Sequence, residues 1–177
     1  TVLSRGLGDV YKRQILDRIS TQKKHVVFAE GEEERVIRAA IAFHNAGYGH
    51  PILLGRETRI KETIQKLGLH GAEDLPITNA KISKHNAEYT DFLYSKLQRK
   101  GQLHRDCQRM VNLDRNVFAA CMVSCGHADT LITGVTRAFQ PSLEHIRRVI
   151  GPAKDSQFMT TSVTVSYTHL RAHETRP

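Results

Sequence analysis

Short apolar runs alternate with amphipathic stretches along the interior of the chain. The valine-rich run at residues 24–29 has the length and composition of a buried strand, and Glu30-Gly31 ends it. From residue 32 onward apolar residues recur at helical spacing, and the acidic residues that precede them suit the positive end of a helix dipole. The first two elements are therefore predicted to be a strand and a helix.

The same two periodicities continue through the rest of the interior. They predict strands at 51–55, 75–78, 129–133 and 159–165, and helices at 59–67, 89–99, 105–125 and 142–150. The stretch 105–125 is compatible with one helix or with a broken pair. Strands that alternate with helices of this length indicate βαβ units, so the predicted class is α/β, with a mainly parallel sheet covered on both faces.

The two ends of the chain do not share this pattern. Residues 1–14 and 166–177 lack periodic apolar positions, and their amino-acid sequences resemble translated sequencing-adapter sequence. We expect both to be artefactual tails, which leaves residues 15–165 as the native piece. Neither an internal repeat nor a low-complexity linker divides that piece.

Composition narrows the class of protein. The chain has 177 residues, of which 40% are hydrophobic and 25% charged, and it contains no run of eighteen apolar residues, so no membrane span is predicted. Its net charge is +8, but interior basic residues alternate with acids as on a solvated helix face, so we expect no nucleic-acid partner. Three cysteines, two of them one helical turn apart, favour reduced thiols and a cytoplasmic protein.

The best candidate for a ligand site is the loop that follows the strand at 129–133. Thr133 and Thr136 offer hydroxyl groups, Gly134 lets the backbone approach a ligand, and Arg137 can form a fork to phosphate. Because such loops lead from a strand into a helix N-terminus, they commonly hold anions. The alternative is that Gly134 only turns the chain and Arg137 points to water.

The segment from Glu30 to Arg35 occupies the corresponding position after the first strand. It is not a dinucleotide fingerprint, because it has a single glycine and its glutamates would repel a pyrophosphate. The acids are expected to favour a helix N-terminus. Alternatively, Arg35 points into an acyl or phosphate cleft.

Residue types that ligate metals occur around the cysteine-bearing helix and again near the end of the chain. The first group is His104, Cys107, His127 and Asp129, and the second is His169 and His173. Turn and core roles explain the first group better, and the second lacks a third ligand. The sequence therefore predicts no metal site, and it assigns no catalytic residue.

Five segments together resemble the phosphate acetyl/butyryltransferase family. They are KKHVVFAEGEEERVIRAA at 23–40, NAGYG at 45–49, PILLGRE at 51–57, RDCQRMVNLDRNVFAACMV at 105–123 and ADTLITGVTR at 128–137. Among its members, the phosphotransacetylase-like C-terminal region of bacterial NADP-dependent malic enzymes is the most similar. Residues 15–165 would then be a partial domain of this family.

The resemblance implies a three-layer α/β/α fold related to isocitrate-dehydrogenase-like proteins, with coenzyme A between two domains. This chain would be the N-terminal half. Active members exchange acetyl between coenzyme A and phosphate, but their catalytic motifs lie near the family's C-terminus and are not in this sequence. The implied ligand is an acyl-CoA, such as acetyl-CoA, or another phosphate-containing small molecule, and the full protein is expected to be a homo-oligomer. NADP and a divalent metal would belong to absent upstream domains of a malic enzyme.

Two departures from the family bear on catalysis. Leu97 stands where active transacetylases carry an arginine, and Ser142-Leu143 is followed by Glu144 where they carry another. Loss of two phosphate-holding cations disfavours binding of a dianionic substrate. We therefore expect an acyl-CoA-sensing regulatory region, inactive alone; the alternative is the N-terminal half of a phosphate acetyltransferase.

Overall fold

A computed structural model of the chain describes residues 14, 17–19, 21–71 and 75–152. The predicted strand at 159–165 and most of both predicted tails lie outside the described residues.

The described strands form one parallel sheet in the order β3-β2-β1-β4. They are β1 Lys24–Phe28, β2 Gly49–Leu54, β3 Ile77–Thr78 and β4 Thr130–Ile132. In the centre of the sheet, Val27 of β1 lies opposite Ile52 of β2 and Leu131 of β4. The predicted α/β class is thus confirmed.

Helices cover both faces of this sheet. They are α1 Glu34–Asn45, α2 Glu57–Lys66, α3 Asn86–Leu97, α4 His104–Leu113, α5 Arg115–Ser124 and α6 Phe139–Val149, with a 3₁₀ turn at Gln98–Lys100. Val26 and Phe28 of β1 pack with α1 and α2, whereas Val27 packs with the core made by α3 to α6. This alternation follows from the two-residue period of a strand, and it gives the three-layer arrangement.

The stretch 105–125 is the broken pair. Asp114 has an extended backbone at the junction of α4 and α5, and its Oδ1 accepts hydrogen bonds from the backbone N–H groups of Asn116 at 2.8 Å and Val117 at 3.1 Å. A carboxylate at this position caps the second helix while ending the first.

Some predicted boundaries were wrong by a few residues. The strand predicted to start at Pro51 begins two residues earlier, at Gly49. It therefore contains Pro51, although proline has no N–H to donate to a hydrogen bond between strands. Pro51 is tolerated because β3 pairs with β2 only from Leu53 onward, so β2 has no described neighbour on that side at Pro51. Helix α6 begins at Phe139 rather than Ser142, since Pro141 fits its first turn.

None of the helices that the structure describes combines the length and apolar character needed to cross a membrane.

Candidate functional site

Three turns meet at the carboxyl ends of the central strands. They follow β1, β2 and β4, and the beginning of α5 lies beside them. Together they line a cleft of about 370 Å³ whose described walls are Glu30, Glu32, Glu33, Arg56, Arg59, Leu113, Arg115, Asn116, Thr136 and Arg137. Open parallel sheets characteristically bind ligands outside the carboxyl ends of their strands.

The carboxylate of Glu30, directly after β1, is held by the loop after β4. Its Oε2 accepts hydrogen bonds from the backbone N–H groups of Gly134 at 3.1 Å and Val135 at 2.6 Å. Its Oε1 accepts from the backbone N–H of Thr136 at 3.0 Å and from the Thr136 hydroxyl at 2.5 Å. Glu30 is 5% exposed, and although burial raises the pKa of its carboxyl, these hydrogen bonds outweigh burial and lower it.

This contact changes the interpretation of the predicted ligand loop. The N–H groups of residues 134–136 do converge on an anion, as such loops do, but the anion is the side chain of Glu30. The sequence suggested only that Glu30 ends β1 and precedes a helix. Its partners lie 104 to 106 residues along the chain, so no local signal identifies them.

Thr133, the first predicted site residue, bonds to a buried side chain of α5. Its hydroxyl donates to Oδ1 of Asn116 at 2.7 Å, and Asn116 is 2% exposed. The Nδ2 of Asn116 is buried and has no hydrogen-bond partner among the residues that the structure describes. An unpaired buried donor is costly, so this amide group is suited to a ligand that supplies an acceptor.

Arg137, the last predicted site residue, lies at the mouth of the cleft. Its Nη1 is 3.0 Å from Oδ2 of Asp114, the same carboxylate that caps α5, and His145 Nδ1 lies 2.7 Å from that oxygen. The side chain of Arg137 is 47% exposed. Asp114 therefore orients Arg137 while leaving much of its guanidinium accessible.

A second carboxylate, that of Glu32, contacts three arginines, and its side chain is 8% exposed. Arg56 contacts it through Nε at 3.0 Å and Nη2 at 3.2 Å and through its backbone N–H at 2.9 Å. Arg115 lies 3.0 Å and Arg59 3.6 Å from Oε2. Burial raises the pKa of Glu32, but the hydrogen bonds from Arg56 and the charges of Arg115 and Arg56 prevail and lower it to about 2.

The sequence did not single out Glu32, Asn116 or Arg115 as site residues. The position of Glu32 could have been recognised, because the acidic residues after β1 and the loop after β4 must lie at the same edge of a parallel sheet. Arg35, the alternative sequence candidate, is exposed and lies beside Val135 and Thr136 in a neighbouring depression rather than among the described walls of the cleft.

The two family departures lie elsewhere. Leu97 is 4% exposed within the core formed with α3 to α6, and Glu144 is on the exposed side of α6. Neither belongs to the described walls of the cleft. The effect on a phosphate site that the sequence led us to expect from these two residues therefore stays a prediction.

The first group of metal-ligating types is dispersed. His104 Nε2 lies 2.9 Å from Asp91, Cys107 is fully buried, and Asp129 binds Lys24 and the backbone of His25. The Nδ1 of His127 lies 2.6 Å from the hydroxyl oxygen of Tyr89. The second group, His169 and His173, lies outside the described residues.

Comparison with known proteins accounts for this architecture. Residues 10–172 match the family described as Phosphate acetyl/butaryl transferase. The chain is 46% identical to a probable NADP-dependent malic enzyme of Rickettsia prowazekii over 147 residues, covering 82% of this chain and 19% of that protein. It is also 46% identical to an NADP-dependent malic enzyme of Rhizobium meliloti, covering 86% of this chain and 20% of that protein.

Phosphate acetyltransferases match this chain as well. The solved EutD phosphotransacetylase from Staphylococcus aureus superposes with a TM-score of 0.70 at 28% identity, covering 77% of this chain and 41% of that one. The chain thus spans about a fifth of the length of the malic enzymes it matches. It belongs to the phosphate acetyl/butyryl transferase family, and it resembles the phosphotransacetylase-like region that malic enzymes share with phosphate acetyltransferases.

Proposed function

We propose that this chain is part of the phosphotransacetylase-like region of an NADP-dependent malic enzyme and that it binds an acyl-CoA as a regulatory ligand. The observation that carries the proposal is the buried Nδ2 of Asn116, an unpartnered donor in the wall of a cleft rich in arginine. An acyl-CoA supplies phosphate and carbonyl oxygens that can accept from such groups.

The arginines of the cleft are held in place before any ligand arrives. Glu32 accepts hydrogen bonds from two side-chain N–H groups of Arg56 and forms ion pairs with Arg59 and Arg115, whereas each guanidinium has five N–H donors. The side chains of Arg56 and Arg59 are 48% and 60% exposed, so further donors can reach a phosphate. Since the pKa of Glu32 is about 2, its carboxylate is charged at neutral pH and keeps its ion pairs with the arginines.

The charge balance supports sensing rather than transfer. The four arginines of the described cleft walls face the three wall carboxylates of Glu30, Glu32 and Glu33, and Asp114 adds a fourth carboxylate through its ion pair with Arg137. Such a nearly neutral surface attracts a compact dianion like acetyl phosphate weakly. A large ligand such as coenzyme A can instead draw its affinity from several separate contacts.

The relatives support the same assignment. Identity to the two malic enzymes is 46%, against 29% and 30% for the phosphate acetyltransferases of Helicobacter pylori and Staphylococcus aureus. On this proposal the protein is cytoplasmic and oligomeric. Decarboxylation of malate, with NADP and a divalent metal, would take place in domains outside this chain.

The test is calorimetric titration of the 177-residue chain with acetyl-CoA. We expect saturable binding, weakened about ten- to 100-fold by Asn116→Ala and by Arg115→Ala, since a hydrogen bond to a charged group such as a phosphate contributes about 1.5–3 kcal/mol. Arg147→Ala removes an exposed arginine of α6 and is the matched control, with unchanged affinity expected. Absence of binding, or equal loss in all three variants, would contradict the proposal.

The alternative is a phosphate acetyltransferase, favoured by the superposition on the solved phosphotransacetylase. An assay of the full-length parent protein distinguishes the two functions. It measures the formation of acetyl-CoA from acetyl phosphate and coenzyme A. We expect no turnover above the uncatalysed rate, together with a change in malate oxidation when acetyl-CoA is added. Ready turnover would establish the alternative.

A further inference from the structure

Two imidazoles and a carboxylate converge away from the cleft. His85 directly precedes α3, Glu88 lies in its first turn, and His127 lies in the loop between α5 and β4. His85 Nδ1 is 3.0 Å from Glu88 Oε2, and His127 Nε2 is 3.9 Å from Glu88 Oε1. One donor atom from each of the three residues falls within 4.8 Å of the others.

We propose that His85, Glu88 and His127 bind a divalent transition-metal ion, with Zn²⁺ as the reference ion. Zinc binds imidazole nitrogen and carboxylate oxygen at about 2.0–2.2 Å, so neighbouring ligand atoms of a tetrahedral site lie about 3.3 Å apart. The two observed separations, which join the imidazoles to different oxygens of the Glu88 carboxylate, lie on either side of this value. Small rotations of these partly exposed side chains would therefore bring one donor atom of each residue to one ion.

Tyr89 supports this geometry from behind the imidazole of His127. Its hydroxyl oxygen lies 2.6 Å from His127 Nδ1, which leaves Nε2 of the same ring on the side of Glu88. Tyr89 is 1% exposed and packs edge-on against Phe118 at 5.1 Å, so the hydroxyl has a fixed position. Outer partners of this kind fix the ring orientation and tautomer of metal-binding histidines.

Accessibility and donor type indicate the class of ion. The side chains of His85 and His127 are each 32% exposed and that of Glu88 is 51% exposed, so an ion can enter and water can complete its coordination. Two imidazoles suit zinc, nickel, copper or cobalt, whereas magnesium and calcium prefer oxygen ligands. The donor set is N₂O and does not include Cys125.

The site is independent of the proposed acyl-CoA cleft, since none of its three residues belongs to the described cleft walls. A bound ion would join the start of α3 to the loop that leads into β4. A simple ion pair between His85 and Glu88 would not require the second imidazole or the buried tyrosine behind it. No local sequence pattern indicates this site, because His85 and Glu88 are 39 or more residues from His127.

The experiment is a titration of the chelator-treated 177-residue chain with Zn²⁺ alone, followed by calorimetry. We expect binding of one ion at this site, weakened about 100-fold by His85→Ala or His127→Ala and about tenfold by Tyr89→Phe. His104→Ala removes an exposed histidine that pairs with Asp91 and serves as the matched control. The double variant H169A/H173A controls for binding by the second sequence group.

Cobalt substitution provides a readout that folding defects cannot imitate. Bound Co²⁺ should give d–d bands without a thiolate charge-transfer band, and Glu88→Gln should change those bands while circular dichroism stays unchanged. Lack of binding by the parent chain would overturn the proposal. So would affinity that survives both His85→Ala and His127→Ala, or a thiolate band showing that Cys125 is a ligand.

Discussion

Glu30 and Thr136 are bonded twice: Oε1 of the buried carboxylate accepts hydrogen bonds from the backbone N–H and the hydroxyl of Thr136. These residues follow β1 and β4, so the contact ties together the turns at the carboxyl ends of two neighbouring strands. An internal carboxylate thereby occupies the loop amides that could otherwise hold a phosphate.

Replacing Glu30 should destabilise the fold and expose the loop amides. Glu30→Ala leaves the N–H groups of residues 134–136 without their acceptor, and we expect a loss of about 2–3 kcal/mol in the free energy of unfolding, measured in urea. Sulfate should restore part of this stability in the variant, because an anion that binds only the folded state stabilises it.

The matched control for this change is Glu62→Ala, on the exposed side of α2. It should change stability by less than about 0.5 kcal/mol and show no sulfate effect beyond that of the parent chain. A Glu30→Ala protein as stable as the parent, or one indifferent to sulfate, would show that the loop does not depend on this carboxylate.

Glu32 should contribute an acid-sensitive part of the stability. Its pKa is lowered from 4.5 to about 2 in the folded chain, so its contribution is fully present above about pH 4.5 and is lost as the pH falls toward about 2. Near neutral pH, Glu32→Gln should therefore cost about 2–3 kcal/mol. The difference between parent and variant should shrink as the pH is lowered, as measured by urea unfolding across this range.

Glu57→Gln is the appropriate comparison for Glu32→Gln. Glu57 pairs with Lys61 on the surface at 2.6 Å, and its side chain is 62% exposed. An exposed pair contributes less than about 1 kcal/mol, so only a small and salt-sensitive change is expected. Equal losses in the two variants would contradict the special role of Glu32.

Asp114 combines two roles that substitutions can separate. Asparagine caps helices as well as aspartate does, so Asp114→Asn should keep the cap of α5 and lose the ion pair with Arg137. Asp114→Ala should lose both and be less stable than Asp114→Asn by about 1 kcal/mol in thermal or urea unfolding. Equal stabilities would indicate that α5 does not need the cap.

Gly31 is required by the close approach of two strands. A Cβ at this position would lie 2.9 Å from the backbone nitrogen of Leu54 and 3.0 Å from the Cβ of Leu53. Because a backbone atom cannot move aside cheaply, Gly31→Ala should cost about 1–3 kcal/mol in urea unfolding. At Gly151, where a Cβ meets nothing within 4 Å, the same substitution should be nearly neutral.

Much of the fold follows from local patterns. The apolar run that forms β1 and the helical spacing that forms α1 were predicted correctly, since burial of one face requires the matching period. The choice at 105–125 could not be made from that pattern. Apolar residues continue through both α4 and α5, and the break at Asp114 coincides with a side-chain cap on the residues that follow it.

The sequence could predict that the loop after β4 lies at the carboxyl edge of the sheet, but it could not predict the contacts of that loop. Arg137 lines the cleft, and Thr133 bonds to Asn116 in its wall, as expected of a loop after a parallel strand. Their partners, Asn116 and Asp114, lie 17 and 23 residues earlier on another helix. That these loop amides bind Glu30 rather than an external anion depends on a pairing across 104 to 106 residues.

The sequence by itself determined the alternation of strands and helices, the parallel sheet and the edge of that sheet where polar residues collect, because these depend on local propensity and on the period of burial. Only the tertiary structure decided which charges meet: Glu30 with the loop after β4, Glu32 with three arginines, and His85 and Glu88 with His127. Such contacts join segments far apart in the chain. Their energies depend on burial and on the distance between charges, and both are set only by tertiary packing.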